Sequence, residues 1–366
     1  MFGRSFRIAT IRGIPVNVDA SWLWIAVLVI FTLWARFDVR FPDLGSGFAL
    51  LFGVLGAALF FGSVFCHELA HAVTARLSGI RVEGITLVFF GGFTAARSDE
   101  RGPGPAFAIA ALGPGTSLAL SGAFWALSRA TQGTDGPVPW LLGYVGWVNL
   151  FMAVFNVLPG LPLDGGRMVQ AAVWRLSGNR DRGTTIAARA GMGVGVLLFG
   201  GALLAGVREE LFSAVWLVII GVFIFQGARA SEQHIGLARR LAGATVADAM
   251  DPPPAAVPAD LSLSETLDRH LRGHEDEAFP VIDGGTVIGM ISFSSARELG
   301  ARDPLRPARD ALIPLDRVLV AHPDEPLDQV SGRLGTGGAA LVLRGGRLVG
   351  AITGGGVYRW MASHAR

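Results

Sequence analysis

Six long apolar segments, separated by loops that contain arginine, dominate the N-terminal part of the chain. They cover approximately residues 20–35, 48–73, 105–127, 138–158, 190–207 and 211–225. A helix needs about 20 mostly apolar residues to cross a bilayer, because only internally hydrogen-bonded backbone is stable in hydrocarbon. Only 16% of the residues are charged, against roughly 25% in soluble domains. We therefore expect a polytopic α-helical membrane bundle with six transmembrane helices.

Arginine placement predicts the orientation of these segments. One side receives only four arginines, Arg36, Arg40, Arg129 and Arg208. The other side receives the remaining loop arginines of this region, Arg4, Arg7, Arg12, Arg76, Arg81, Arg97, Arg101, Arg167, Arg175, Arg180, Arg182, Arg189, Arg229, Arg239 and Arg240. The positive-inside rule places the second side in the cytoplasm. We predict a multi-pass protein of the cell membrane, embedded in its lipid bilayer, with both termini cytoplasmic. The net charge of +2 gives no indication of a nucleic-acid partner.

The second apolar segment contains an H-E-x-x-H motif formed by His67, Glu68 and His71. Residues i and i+4 share one helix face, so both imidazoles can bind one metal ion with the glutamate beside it. Zinc accepts such ligands, and a hydrolytic site keeps one position for water. A chance match is the alternative, but ionisable residues at membrane depth are costly and usually functional. We predict His67 and His71 as Zn²⁺ ligands and Glu68 as the general base that takes the proton of the water.

The fourth apolar segment ends on the same predicted side as the histidines and supplies two further candidates. Asp164 follows a Pro-rich turn and is predicted to be the third zinc ligand, although it can also be a helix N-cap before Gly165. Asn156 is a catalytic candidate because a side-chain amide can hold a substrate backbone or a developing oxyanion. Capping of the fourth span is an equally good interpretation of Asn156.

These two motifs together resemble the site-2 protease family of intramembrane zinc metalloproteases. The resemblance is carried by HELAH at residues 67–71 and NVLPGLPLDG at residues 156–165, and it covers approximately residues 16–225. It implies hydrolysis of a peptide bond within or at the edge of the bilayer. The implied substrate is a single-span membrane protein, as in regulated intramembrane proteolysis.

The resemblance also implies a substrate-binding role for residues outside the two motifs. The family has a strand-like segment near the site, which corresponds here to FFGGF at residues 89–93. We predict that Gly91, Gly92 and Phe93 either pair with an unwound substrate strand or form a plain cytoplasmic hairpin. The family often carries Gly-Pro-x-x-Asn in the third span, whereas this chain ends the pattern with Ser117. Ser117 is predicted to donate a hydrogen bond to substrate.

The C-terminal part contains an internal repeat. The segment VIDGGTVIGMIS at residues 281–292 recurs as VLRGGRLVGAIT at residues 342–353. Each copy predicts strand, Gly-Gly turn and strand, preceded by a helix at residues 263–271 or 327–334. The pair resembles tandem CBS domains and is a soluble α+β region. We predict a transmembrane metalloprotease domain at 1–230, a linker at 231–243, and CBS domains at 244–302 and 303–366.

The CBS resemblance implies an adenine nucleotide between the copies. The usual signature has Ser or Thr after the second strand and Asp three residues later. Ser292 and Thr353 match as nucleotide-binding candidates, but Ser295 and Gly356 occupy the Asp positions. We therefore rank nucleotide binding behind homodimerisation or contact with the catalytic domain.

Two other classes of function are compatible with a polytopic protein that carries CBS domains. One is a CBS-regulated transporter or channel, and the other is a catalytically inactive membrane scaffold. Neither of them requires a glutamate beside two helical histidines, so Glu68 distinguishes them from a protease.

Overall fold

The chain divides into two compact units, Met1–Ile235 and Gly236–Arg366. The structure is a computed structural model that describes residues 5–11, 13–88, 91–96, 102–131, 136–208, 210–334 and 338–364.

Six of the described helices are long and apolar enough to cross a membrane. They are α1 (Ser21–Arg40), α2 (Gly45–Leu77), α3 (Pro103–Ala130), α4 (Pro137–Asn156), α6 (Arg180–Val207) and α7 (Leu211–Leu241). The predicted six-span bundle is confirmed. Several helices continue well beyond the apolar segments, because helical hydrogen bonding does not end where hydropathy falls. For the same reason most of the predicted linker, residues 231–243, is the last part of α7.

Close packing of α2 against α1 and α4 depends on small residues in α2. A Cβ on Gly53 would lie 3.0 Å from the carbonyl oxygen of Ile30 in α1, and one on Gly56 would lie 3.0 Å from the side chain of Leu141 in α4. Phe37, Leu141 and Val145 are buried in a shared apolar cluster beside these contacts. Helices in lipid associate through such close van der Waals packing, since lipid supplies little hydrophobic driving force.

A short helix, α5 (Asp164–Ser177), lies between the fourth and fifth spans, and the sequence indicated it only through the capping interpretation of Asp164. Hydropathy could not reveal it because α5 is too polar to be a span. The turn before it is packed tightly: a Cβ on Gly166 would collide with the backbone at Gly160, and one on Gly191 of α6 would collide with the carbonyl of Leu161. The backbone N–H of Leu161 also donates to the carbonyl of Ala187 in α6 at 3.1 Å.

A four-stranded sheet packs against α2. Its strands are β1 (Ser5–Ile11), β2 (Ile14–Asp19), β3 (Val82–Val88) and β4 (Gly91–Ala96), in the order β1-β2-β3-β4. β3 runs parallel to β2 and antiparallel to β4. Ile14 and Ile85 are buried against Ala72 of α2. β4 is thus both half of a hairpin and an edge of the described sheet, while Phe89 and Phe90 lie outside the described residues.

The C-terminal unit contains the two predicted hairpins. β6 (Ala278–Asp283) pairs with β7 (Thr286–Ser292), and β10 (Ala339–Arg344) pairs with β11 (Arg347–Thr353). Both glycines of each turn have positive φ, as a two-residue type I′ turn requires. Short strands complete the sheets: β5 (Val257–Pro258), β8 (Ile313–Pro314) and β9 (Val320–Ala321).

The helices of this unit flank the hairpins. They are α8 (Val246–Ala249), α9 (Leu263–Thr266) with a π-helical continuation (Leu267–Leu271), α10 (Phe293–Gly300), α11 (Leu327–Leu334) and α12 (Gly354–Ser363). The helices expected at residues 263–271 and 327–334 are confirmed. The two copies contact each other through Val287, Leu341 and Leu343.

The predicted boundary between the copies does not coincide with their cores. Val246 and Ala249 belong to the core of the second copy, with Val330 and Val342. Ala308 and Ala311 belong to the core of the first copy, although they follow residue 302. Each copy therefore contains a segment that a linear division at 302/303 assigns to the other. A repeat can be recognised from sequence, whereas such an exchange depends on which sheet each segment joins.

Candidate metal centre

Three potential ligand atoms meet where α2 approaches the start of α5. Nε2 of His67 lies 3.1 Å from Oδ2 of Asp164, Nε2 of His71 lies 3.3 Å from the same oxygen, and the two Nε2 atoms are 3.2 Å apart. A tetrahedral zinc site with bonds of about 2.0–2.1 Å has ligand-to-ligand distances of roughly 3.3 Å. The three atoms therefore have the spacing of one face of a zinc tetrahedron.

Both imidazole rings are held from behind by α3. Nδ1 of His71 lies 2.7 Å from the carbonyl oxygen of Ile109, and Nδ1 of His67 lies 2.9 Å from Oγ of Ser117. A carbonyl only accepts, so Nδ1 of His71 carries the hydrogen, and neutral His71 presents a lone pair at Nε2. Such contacts on the far ring nitrogen orient metal-binding histidines in general. The donor set and its orientation fit a divalent metal ion.

Asp164 is the first residue of α5, and its carboxylate is 15% exposed. Burial opposes ionisation, but the hydrogen bonds and charges of His67 and His71 hold the pKa of its carboxyl well below the usual range. The helix N-terminus also favours a negative charge at this position. Leu163, not Asp164, occupies the N-cap. The capping interpretation of Asp164 is therefore wrong, and the carboxylate faces the histidines.

Gly113 of α3 lies directly beside the two histidines. A Cβ at this position would lie 2.8 Å from Nε2 of His67 and would collide with Nε2 of His71. No sequence motif predicted a position for Gly113 at this centre. Its proximity to the metal-facing nitrogens depends on the register between α2 and α3, which no local pattern reveals.

Three other predicted residues of this unit, Glu68, Ser117 and Asn156, lie on helices α2, α3 and α4. Glu68 is half-buried and follows His67 on α2. Ser117 is completely buried, and its hydroxyl contacts His67, so its geometry supports a role behind the ligand and not the predicted contact with substrate. Nδ2 of Asn156 donates to the carbonyl of Met152, four residues earlier in α4, at 3.0 Å.

The predicted substrate-binding and nucleotide-binding residues lie elsewhere in the fold. Gly91, Gly92 and Phe93 form the first half of β4, which packs beside α2. Ser292 caps α10 by accepting from the backbone N–H of Ser295, and Thr353 caps α12 by accepting from that of Gly356. The hydroxyls of both nucleotide-binding candidates are thus used in helix capping.

Comparison with known proteins identifies the two units separately. Residues 55–136 and 134–198 match the model of peptidase family M50, and residues 246–300 match the CBS domain model. The chain is 38% identical over 359 residues to the putative zinc metalloprotease Rip3 of Mycobacterium tuberculosis H37Rv, an alignment that covers 94% of this chain and 90% of that protein. It is 34% identical over 273 residues to the putative zinc metalloprotease sll0528 of Synechocystis, covering 74% and 70%.

Among solved structures, the site-2 protease of Methanocaldococcus jannaschii matches 63% of this chain and 95% of its own, with a TM-score of 0.44 and 22% identity. The bundle and its ligand cluster define a polytopic membrane protein with a candidate two-histidine, one-carboxylate metal centre. The chain belongs to peptidase family M50, and the family inferred from the two motifs is confirmed.

Replacing Gly113 with alanine should damage the metal centre, because the added methyl group meets both metal-facing nitrogens. Gly115→Ala is the matched control, since a Cβ there would meet nothing within 4 Å. We expect Gly113→Ala to bind zinc at least about tenfold more weakly, as loss of ligand orientation does, and Gly115→Ala to bind like wild type. Competition with a chelator measures both affinities. Equal zinc affinities for the two variants would contradict the placement of α3.

Proposed function

We propose that this chain is an intramembrane zinc endopeptidase that hydrolyses a peptide bond in or near a transmembrane segment of another membrane protein. Membership of family M50 makes it a peptidase, and the two relatives described above bear the name putative zinc metalloprotease. The single observation that supports the proposed site is the triangle of Nε2, Nε2 and Oδ2 atoms at 3.1–3.3 Å. Two imidazole nitrogens and one carboxylate oxygen at this spacing can bind one divalent cation.

The proposed ligands are His67, His71 and Asp164, and the metal they fit is Zn²⁺. Bound zinc polarises a carbonyl and lowers the pKa of a water molecule towards neutrality. Glu68 lies beside the histidines on α2 and is proposed to take the proton of that water and return it to the leaving amine. Asn156 contacts its own helix and remains a candidate for holding substrate, because a change of its side-chain rotamer would release the amide.

The proposed substrate is a single-span protein whose helix unwinds locally before cleavage. A helical peptide bond has its N–H and C=O groups in intrahelical hydrogen bonds, which exclude a close approach to the metal. β4 offers a sheet edge beside α2, and strand addition there would hold the unwound segment by backbone hydrogen bonds through residues 91–93. Glycine or proline near the cytoplasmic end of a substrate span should therefore favour cleavage.

Glu68→Gln should separate catalysis from metal binding. The amide cannot accept the proton of water, so we expect cleavage of a reconstituted single-span substrate to fall by about 10²–10⁴-fold. Zinc content should stay at the wild-type level. Asp164→Ala should lose zinc as well as activity, because it removes one of the three ligands.

Controls distinguish this proposal from its alternatives. Asp43→Asn changes an exposed acid of the same unit and should leave cleavage and zinc content unchanged. Substrates with Gly or Pro in place of Leu near the cytoplasmic end of the span should be cut faster. A Glu68→Gln variant with full function beside an inactive His67→Ala variant would favour a transporter. Wild-type protein without zinc would favour an inactive scaffold.

We propose that the protein resides in the cell membrane with both termini in the cytoplasm. The arginine distribution supports this orientation, since most arginines of this region precede the first apolar segment or follow the second, fourth and sixth. A C-terminal reporter that is active only in the cytoplasm should be active on the full-length chain. Activity of a periplasmic reporter at the same position would overturn the orientation.

We propose that the C-terminal unit regulates the enzyme through homodimerisation, without an adenine nucleotide. Ser295 and Gly356 supply no carboxylate for a ribose, and the hydroxyls of Ser292 and Thr353 cap helices. AMP or ATP should leave the unfolding temperature of the full chain unchanged, whereas a ligand at 100 times its Kd would stabilise it by about 2.7 kcal/mol. Mass measurement in detergent should give a dimer. A nucleotide-dependent shift, or a monomer, would contradict the proposal.

A further inference from the structure

By helix register, three buried polar residues of three helices come to one level of the bundle, one helical turn away from His67. Across α2 and α3, His71 faces Gly113 and His67 contacts Ser117, so the next turn brings Ser63 opposite Ser121. Across α3 and α4, Gly146 faces Trp125, and the same antiparallel register brings Ser121 to the level of Asn149. Nδ2 of Asn149 donates to Oγ of Ser63 at 3.0 Å. We call Ser63, Ser121 and Asn149 the polar triad.

The triad is buried and only partly satisfied. The exposed fractions are 3% for Ser63, 1% for Ser121 and 0% for Asn149. Ser63 donates to the carbonyl of Leu59, and Asn149 also donates to that of Val145. Oδ1 of Asn149 and Oγ of Ser121 have no hydrogen-bond partner among the described residues. Buried polar atoms of this kind are costly at membrane depth and are commonly satisfied by an ordered water with two to four polar partners.

Hydrogen-bond directions connect this triad to the metal ligand. When Nε2 of His67 binds the metal, the neutral ring carries its hydrogen on Nδ1, which then donates to Oγ of Ser117. The Ser117 hydroxyl must then donate its own hydrogen to an acceptor. Ser121 is one turn further along the same helix face, with an unfilled oxygen, and Asn149 supplies an unfilled carbonyl at the level of Ser121. A chain of hydrogen bonds that begins at Nδ1 of His67 can thus end at Oδ1 of Asn149.

We propose that the polar triad binds a water molecule and, through it and Ser117, positions His67 for metal binding. The water donates to Oδ1 of Asn149 and exchanges hydrogen bonds with the hydroxyls of Ser121 and Ser117. Asn149 and Ser121 are positioning residues, since neither touches the metal or the substrate. The proposal depends on the proposed metal site. Its rival is that Asn149 only links α4 to α2, as polar residues often do between membrane helices.

Zinc affinity of the full-length protein tests the proposal. Asn149→Leu removes the terminal acceptor at similar volume, and Asn149→Asp restores an oxygen at the same position as a protonated acid. We expect Asn149→Leu to bind zinc roughly threefold to tenfold more weakly, less than the 10–100-fold typical of residues that contact the ligand itself. Asn149→Asp should bind close to wild type. Ser121→Ala should weaken zinc binding in the same direction as Asn149→Leu.

Ser128→Ala is the matched control. Ser128 lies on the same helix and donates to the carbonyl of Pro139 at 2.8 Å, at a level further from His67. Its loss should leave zinc affinity unchanged. Unfolding temperatures of the metal-free variants provide a second measurement that a purely structural role would change.

The outcomes separate the two proposals. If wild type binds zinc and Asn149→Leu lowers only the metal-free unfolding temperature, with zinc affinity unchanged, Asn149 is structural and this inference is overturned. If Asn149→Leu does not fold, Ser121→Ala decides on the same criterion. If wild type itself binds no zinc, the proposed function fails before the triad is tested.

Discussion

The arrangement of this membrane unit depends on three potential ligand atoms that face one another at 3.1–3.3 Å inside an apolar bundle. Nε2 of His71 cannot carry a hydrogen in the neutral ring, because Nδ1 donates to Ile109. Oδ2 of Asp164 also carries only lone pairs. A buried carboxylate is costly unless a positive charge lies beside it, because burial removes its hydration. A divalent ion bound by the three atoms supplies that positive charge.

Small residues allow the helices to bring these atoms together. Gly113 gives α3 access to the two imidazole rings, and Gly166 lets the first turn of α5 lie on the turn that precedes it. A methyl group at either position would meet ring nitrogens or backbone. Packing between membrane helices is a matter of shape more than of hydrophobicity. The glycines near the site are therefore as necessary to its geometry as the ligands.

The sequence predicted the elements of the site whose information is local. The spacing of His67 and His71 follows from 3.6 residues per turn, and six apolar segments with asymmetric arginines predicted a bundle in which Asp164 could approach them. Their distances to one another agree with that expectation, while their roles as ligands stay a prediction.

What the sequence did not predict depends on the register between distant helices. The contact of Ser117 with His67 joins residues 50 positions apart, and that of Asn149 with Ser63 joins residues 86 apart. α5 is amphipathic and lacks the continuous apolar run of a span, and the exchange of segments between the CBS copies requires knowledge of both cores. Each of these features is a property of packing and not of any local pattern.

The fifth and sixth spans, α6 and α7, have no ionisable residue in their apolar centres. Their contacts with the turn that precedes Asp164 give them a structural role. α6 accepts a hydrogen bond at Ala187 from Leu161, and Gly191 admits the backbone of that turn. Gly227 of α7 lies against the ring of Pro162, where a Cβ would be 3.0 Å away. The turn that ends at Asp164 is therefore held by α6 and α7, while α3 holds both histidines. The carboxylate reaches the imidazoles because helices that supply no ligand fix its position from the opposite side.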